Sequence, residues 1–111
     1  MTDTQSTPTP VTAFVEAINA ADTDAFVALF AQDGLVDDWG TEYRGHERIR
    51  QWAGSDAIGA GARMKVLSAS TDGDTTTIRF DWRSRVFNGE STGVFVLDAA
   101  LIRSFTIPPE R

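Results

Sequence analysis

From residue 63 onward the chain carries only strand signals, and the breaks between them are two or three residues long. Residues 63–71 alternate and run into Asp72-Gly73, a hairpin turn. Residues 75–87 make a long strand rich in Thr, Ile, Phe and Trp. Asn88-Gly89 is the strongest hairpin signal, because both positions tolerate positive φ. Residues 91–97 and 101–107 give two further strands joined through Asp98-Ala99-Ala100, and Pro108-Pro109 ends the last. Breaks this short leave no room for crossover helices, so these strands are expected to form an antiparallel meander. All the helical signals precede them. Helices first and strands after predict an α+β domain.

Residues 1–9 are rich in Thr, Ser and Pro and read as a disordered lead-in to a domain over residues 10–111. Thr9 is the expected cap of a first helix, with Pro10 at its first position. Val11, Phe14, Val15 and Ile18 form one apolar stripe. Asn19-Ala20-Ala21-Asp22 breaks it, and Asp22 or Thr23 caps a second helix that buries Phe26, Val27, Leu29 and Phe30. Gly34 is the expected stop of that helix, since glycine accepts a left-handed backbone. Residues 35–39 alternate as a short strand, and residues 40–44 form a turn or a small hairpin arm. A third helix starts at His46 and shows Ile49 and Trp52 on one face, ending by Gly54 or running on to Ile58. Gly59 and Gly61 read as a flexible connector.

Composition narrows the function. At 111 residues the chain is one domain with enough length to bury a core. Its formal net charge is −6, with acids and bases interspersed, which argues against nucleic acid and anionic membrane surfaces as partners. There is no cysteine, so disulfides and thiolate chemistry are excluded, and the single histidine argues against a metal site. No cofactor motif is present. With no apolar span and no secretory signal, a cytoplasmic protein is the expectation.

Two constellations could carry chemistry. Asp37 and Asp38 stand among aromatic residues, where lost hydration disfavours the charge and raises the pKa toward that of a general base or acid. Only one of them can face inward on a strand. Alternation favours Asp38 in a cavity and Asp37 at its rim, although both also fit solvated turn residues. Residues 79–85 put Arg79, Asp81, Arg83 and Arg85 on one face and Ile78, Phe80, Trp82 and Val86 on the other. The charged face fits either an oriented Arg–Asp pair or a solvated ladder on an open sheet. His46 fits a helix-end or surface group, and Tyr43 is either a hydrogen-bond donor or a packed turn residue. Trp39, Trp52, Phe14, Phe26 and Phe30 are core or pocket wall.

The segments 17–26, 29–33, Val36-Asp37-Asp38 and 43–49 resemble the SnoaL-like and ketosteroid-isomerase-like branch of the nuclear transport factor two superfamily. The resemblance covers about residues 11–107. It implies a cone-shaped barrel, in which three N-terminal helices pack inside a curved antiparallel sheet around a largely apolar cavity. It also implies a homodimer through the outer sheet face. Asp38 falls where ketosteroid isomerases place their base, but their oxyanion-hole tyrosine matches Phe14 and their second acid falls near Gly93. Limonene-epoxide-hydrolase-like enzymes carry an Arg-x-Asp matched by Arg79-Phe80-Asp81, while their third acid falls at about Ile107. Under this resemblance Arg79, Asp81 and Arg83 face the cavity, and Phe80 and Trp82 face a dimer partner.

The expected function is acid–base chemistry on a small apolar metabolite, of isomerase, epoxide hydrolase or cyclase type. Asp38, Asp81 and Arg79 would be catalytic. Phe14, Ile18, Phe30, Trp39, Tyr43, His46, Trp52 and Arg83 would bind substrate, with no metal or cofactor. The alternative is a ligand-binding or accessory homodimer without catalysis.

Overall fold

The computed structural model describes residues 7–109. The lead-in expected at residues 1–9 therefore lies mostly outside the described residues, and Thr9 belongs to the first helix, α1 (Thr9–Asn19). Pro8 rather than Thr9 occupies the N-cap, without a side-chain hydrogen bond. Pro10 falls in the first turn, where an N–H has no helical partner to lose. Val11, Phe14, Ala17 and Ile18 form the buried stripe, with Val15 partly buried beside it. Asp22 caps α2 (Thr23–Ala28), its Oδ1 accepting from the Ala25 N–H at 3.1 Å.

That second helix ends well before Gly34, contrary to the glycine-stop expectation. Phe30 and Gly34 both belong to β1 (Phe30–Asp38). Gly34 serves close approach instead: a Cβ there would lie 3.0 Å from the Ala31 carbonyl oxygen and 3.2 Å from Phe30. The pairing of β1 slips in register between Phe30 and Leu35, which bends the strand. β1 then turns through Trp39-Gly40 into β2 (Thr41–Arg44), the hairpin arm. Both turn residues have positive φ, +54° and +93°, the backbone that matches the twist of a two-residue hairpin.

α3 (His46–Asp56) buries Ile49, Trp52 and Ala53. The expected glycine connector is instead a 3-10 turn (Ile58–Ala60), flanked by the buried Ala57 and Ala62. β3 (Arg63–Asp72), β4 (Thr75–Arg83), β5 (Asn88–Asp98) and β6 (Leu101–Ile107) complete the chain. The six strands form one sheet in the order β2-β1-β6-β5-β4-β3. It is open at β2 and β3 rather than closed into a barrel, and it curves around the helices. Register slips at residues 66/68 and 96/97 add to that curvature.

The sheet is also mixed. β1 and β6 pair in parallel, while the other neighbours are antiparallel. A parallel pair needs a long crossover, and here α3 and four strands supply it. Short breaks forced antiparallel pairing only within residues 63–107. They said nothing about how the last strand meets the first.

The long strand also stops early. β4 ends at Arg83, and residues 84–87 make the turn expected at Asn88-Gly89. Ser84 Oγ accepts from the Val86 and Phe87 N–H groups at 3.1 Å each, and Ser84 N–H donates to the Phe87 carbonyl at 3.0 Å. Asn88 already pairs with Arg83, and its side-chain amide donates to the Ser84 carbonyl at 3.1 Å. A serine that satisfies two backbone donors outcompeted the asparagine-glycine pair for the turn.

The core is built on aromatic rings. Phe14 is fully buried at its centre, with ring centroids 5.0 Å from Phe26, 4.9 Å from Phe95 and 4.6 Å from Phe105. Offset and edge contacts of this kind add to simple area burial. Gly93 on β5 makes room for them, since a Cβ there would lie 2.7 Å from Phe105 and 3.1 Å from Phe80. At one end Asn19 closes the packing like a missing strand residue. Its amide donates to the Met64 carbonyl at 2.8 Å and accepts from the Met64 N–H at 2.7 Å.

Candidate active site

Packing the helices on a curved sheet leaves one end of the core unfilled. There a cavity of about 380 Å³ lies between the end of β1, the C-terminal half of α3 and the loop from β4 to β5. Strand alternation puts Val36 into the core and Asp38 two residues further into the cavity wall. Asp37 points the other way, and its Oδ1 accepts from the Gly40 N–H at 2.9 Å, which helps to hold the β1–β2 turn.

Asp38 is held by a single directed contact. The indole N–H of Trp52 donates to its Oδ2 at 3.0 Å. Trp52 is almost completely buried, so its N–H must find an acceptor, and Asp38 at the end of β1 supplies it. The ring itself is clamped between core and cavity. It stacks on Phe26 at 6.0 Å and leans on Trp82 at 6.2 Å. Burial raises the Asp38 pKa above the ordinary carboxylate value; the Trp52 hydrogen bond opposes this, and the nearby charges of Asp56 and Asp37 reinforce it. Tyr43 is also raised, first by burial and then by Asp56 and Asp38, with Arg48 opposing. Its phenol therefore stays protonated across the neutral range.

Asp56, the last residue of α3, is the second carboxylate in the wall. The rest of the wall is Trp39, Trp82, Phe80, Phe87, Val86 and Ile107, with the Ser91 hydroxyl as a further polar group. Among the described residues no basic side chain lines it, and no cluster of three His, Asp or Glu is placed to hold a metal ion. Such a site can take or deliver a proton, or hold a water molecule, against an apolar ligand.

Of the residues singled out from the sequence, Asp38, Trp39 and Trp52 meet in this cavity. Phe14, Ile18 and Phe30 do not. They are fully buried in the core, Phe14 and Ile18 on the inward stripe of α1 and Phe30 at the start of β1. His46 ties α3 to β1, its Nε2 donating to the Phe30 carbonyl at 2.9 Å. Tyr43 is partly buried, with the Arg48 guanidinium 5.8 Å above its ring, and is outside the cavity wall.

The two faces of β4 are the reverse of the family-based expectation. Ile78, Phe80 and Trp82 are buried, and Arg79, Asp81 and Arg83 lie on the outer face. Arg83 Nε pairs with Asp81 Oδ2 at 3.2 Å, while Arg79 donates to Thr92 Oγ1 at 3.0 Å and lies 3.6 Å from Glu90. Desolvating three charges costs far more than desolvating three apolar side chains, so the apolar face takes the interior. Arg79 instead borders a shallow outer groove of about 220 Å³ with Ser68, Ser70, Thr77 and Thr92.

Sequence reasoning missed Asp56, which ends α3 one turn beyond Trp52, because the apolar stripe of that helix carries no sign of which polar residue at its end meets the cavity. It missed Ser91 too, which the hairpin register sets opposite Phe80. The signal for Phe80 and Trp82 was their alternation with charged neighbours.

Comparison with known proteins places this geometry in a setting. The family model described as a SnoaL-like domain matches residues 11–105. No curated protein sequence matches the chain. Among solved structures, a candidate polyketide cyclase from Sinorhizobium meliloti superposes with a TM-score of 0.85 at 25% identity, covering 96% of this chain and 99% of that one. A Catenulispora acidiphila protein with a ketosteroid isomerase-like fold, in complex with trimethylamine, gives 0.80 at 24% identity over 95% and 88%. The Δ5-3-ketosteroid isomerase of a Mycobacterium species gives 0.78 at 16% identity over 91% and 90%. At these identities the latter two show a shared fold. No helix among the described residues is long and apolar enough to cross a membrane.

Proposed function

Because this chain belongs to the SnoaL-like domain family, we propose that it performs acid–base chemistry on a small, mostly apolar metabolite, with Asp38 moving the proton. The reading is carried by one observation: a carboxylate inside an aromatic-walled cavity, aimed by the indole N–H of Trp52. Burial makes that carboxylate a stronger base than a free aspartate. One hydrogen bond to Oδ2 leaves acceptor capacity for a substrate C–H or O–H, or for a water molecule.

Asp81 and Arg79, first expected to supply the second acid–base group, lie on the outer face. Asp56 takes that place in the proposal, as the other acid of the same wall. Proton shuttling between two such groups suits an isomerisation, an epoxide opening or a ring closure. The likeness to a candidate polyketide cyclase supports this range of reactions.

The test is a metabolite screen that reads product by mass spectrometry. Asp38→Asn should bind the substrate found in that screen within a few-fold of wild type yet turn it over about 10²–10⁴ times more slowly. Full activity in Asp38→Asn would remove the assignment.

A second reading is a homodimer that holds a ligand without converting it. It is favoured by the lack of a basic side chain in the wall, among the described residues, to stabilise a developing negative charge, the donors there being neutral ones such as the Ser91 hydroxyl. Dimerisation through the outer sheet face is supported by the partly exposed Val94 and Val96 there. Sedimentation gives the oligomeric state. Ligands that raise the melting temperature and are recovered unchanged would favour this reading, and a converted product would exclude it.

A further inference from the structure

On the premise that this cavity is a small-molecule site, we propose that its ligand carries a positively charged nitrogen on an apolar body, as in an alkylated or protonated amine. Two carboxylates, Asp38 and Asp56, stand in one wall, close enough for the charge of Asp56 to act on Asp38. Neither pairs with a basic side chain among the described residues. On the outer surface other acids do find a base, Asp24 with Arg50, Asp81 with Arg83, Glu90 with Arg79 and Asp98 with Arg103. The cavity differs in being enclosed by aromatic surface: its wall holds two acids and no basic side chain among the described residues.

The rest of the wall suits the same guest. Trp39, Trp52 and Trp82 border the cavity, and the rings of Trp52 and Trp82 stand 6.2 Å apart at 44°. Indole faces attract cations through their quadrupole, and tryptophan does so best. A neutral apolar ligand would bury both carboxylates without a countercharge, and an anion would be repelled by them. A quaternary or protonated amine supplies the missing charge, and its carbon body covers Phe80, Phe87 and Ile107. The net charge of −6 adds attraction at a distance.

The test compares phenyltrimethylammonium with tert-butylbenzene, which differ by one nitrogen for one carbon. Each is titrated into the full chain at pH 8, followed by tryptophan fluorescence and by the indole N–H signals in NMR. The cation should bind about tenfold or more tightly than its neutral isostere. The double variant Asp38→Asn/Asp56→Asn should lose that preference while still binding the neutral probe. Equal binding of the two probes by the wild type would overturn the charge inference and leave the pocket reading standing. So would a preference that survives in the double variant. If neither probe binds, both readings fall together.

Discussion

Asp38 is held at a standing energetic cost, and that cost has a measurable sign. Burial raises its pKa in the folded chain, so over the interval between the unfolded and folded values the folded state binds more protons. Stability from this group is therefore lost as pH rises through that interval, and above it the charged, desolvated form weighs against folding. Asp56, Asp37, Trp52 and Tyr43 are the groups that face it, and none supplies a positive charge. Asp38→Asn keeps an oxygen for the Trp52 N–H and removes the charge. We expect a flatter stability profile from pH 4 to 8 and a melting temperature at pH 7 higher by about 1–2 °C, read by calorimetry. A lower melting temperature would mean that the charge itself holds the fold. Trp39 makes a similar trade in backbone rather than charge. It is a large residue at φ +54°, in the left-handed region that costs most side chains roughly 1–2 kcal/mol. It is also half-exposed, so little burial is at stake. Trp39→Asn creates the preferred asparagine-glycine hairpin turn and should raise stability by about 0.5–1 kcal/mol in urea unfolding while weakening any cavity ligand.

At the scale of elements, the loop between β4 and β5 decides how firmly the cavity wall is built. Ser84 organises it with one hydroxyl, and Arg85 fastens it across to the 3-10 turn, donating from its backbone to the Ala60 carbonyl at 3.0 Å and from its guanidinium to the Gly59 carbonyl. Ser84→Ala should cost about 1 kcal/mol and speed hydrogen exchange at the Val86 and Phe87 amides, leaving β3 unchanged. Protection that stays as in the wild type would show that Arg85 alone holds the loop. This loop also marks where reading from sequence gave out. Periodicity located α1, α3 and β6 well, since each has an apolar stripe or alternation that only one backbone period satisfies. The β4–β5 turn depends on a hydroxyl reaching two amides, a contact that no period encodes. Asp38 was legible because adjacent aspartates on a strand must point to opposite sides. The faces of β4 were separable from sequence, but which one lay inside depended on partners: Phe80 against Phe105 and Trp82 against Trp52. Ordinary hydrophobic burial would have answered correctly where family analogy did not.

For the whole molecule the decisive feature is that β6 sits between β1 and β5. It contributes the buried Ile102 and Phe105, and Ile107 in the cavity wall. Its last carbonyl also receives the Trp39 N–H at 2.9 Å, directly beside Asp38. Removing it would split the sheet in the middle rather than trim an edge. A chain ending at Asp98 should show no cooperative unfolding transition by circular dichroism. One ending at Pro109 should unfold like the full chain. A cooperative transition in the shorter chain would show that β1 and β5 can close without the strand between them.

The pairing of β1 with β6 also governs when the protein first becomes competent during its making. Asp38 leaves the ribosome before β2, α3, β3, β4 and β5, and only then does the strand that flanks it emerge. Until then the aromatic core is incomplete, because Phe105 has yet to reach Phe14 and Phe95. A chain from which β6 has not yet emerged therefore has a sheet split between β1 and β5 and no completed wall beside Asp38.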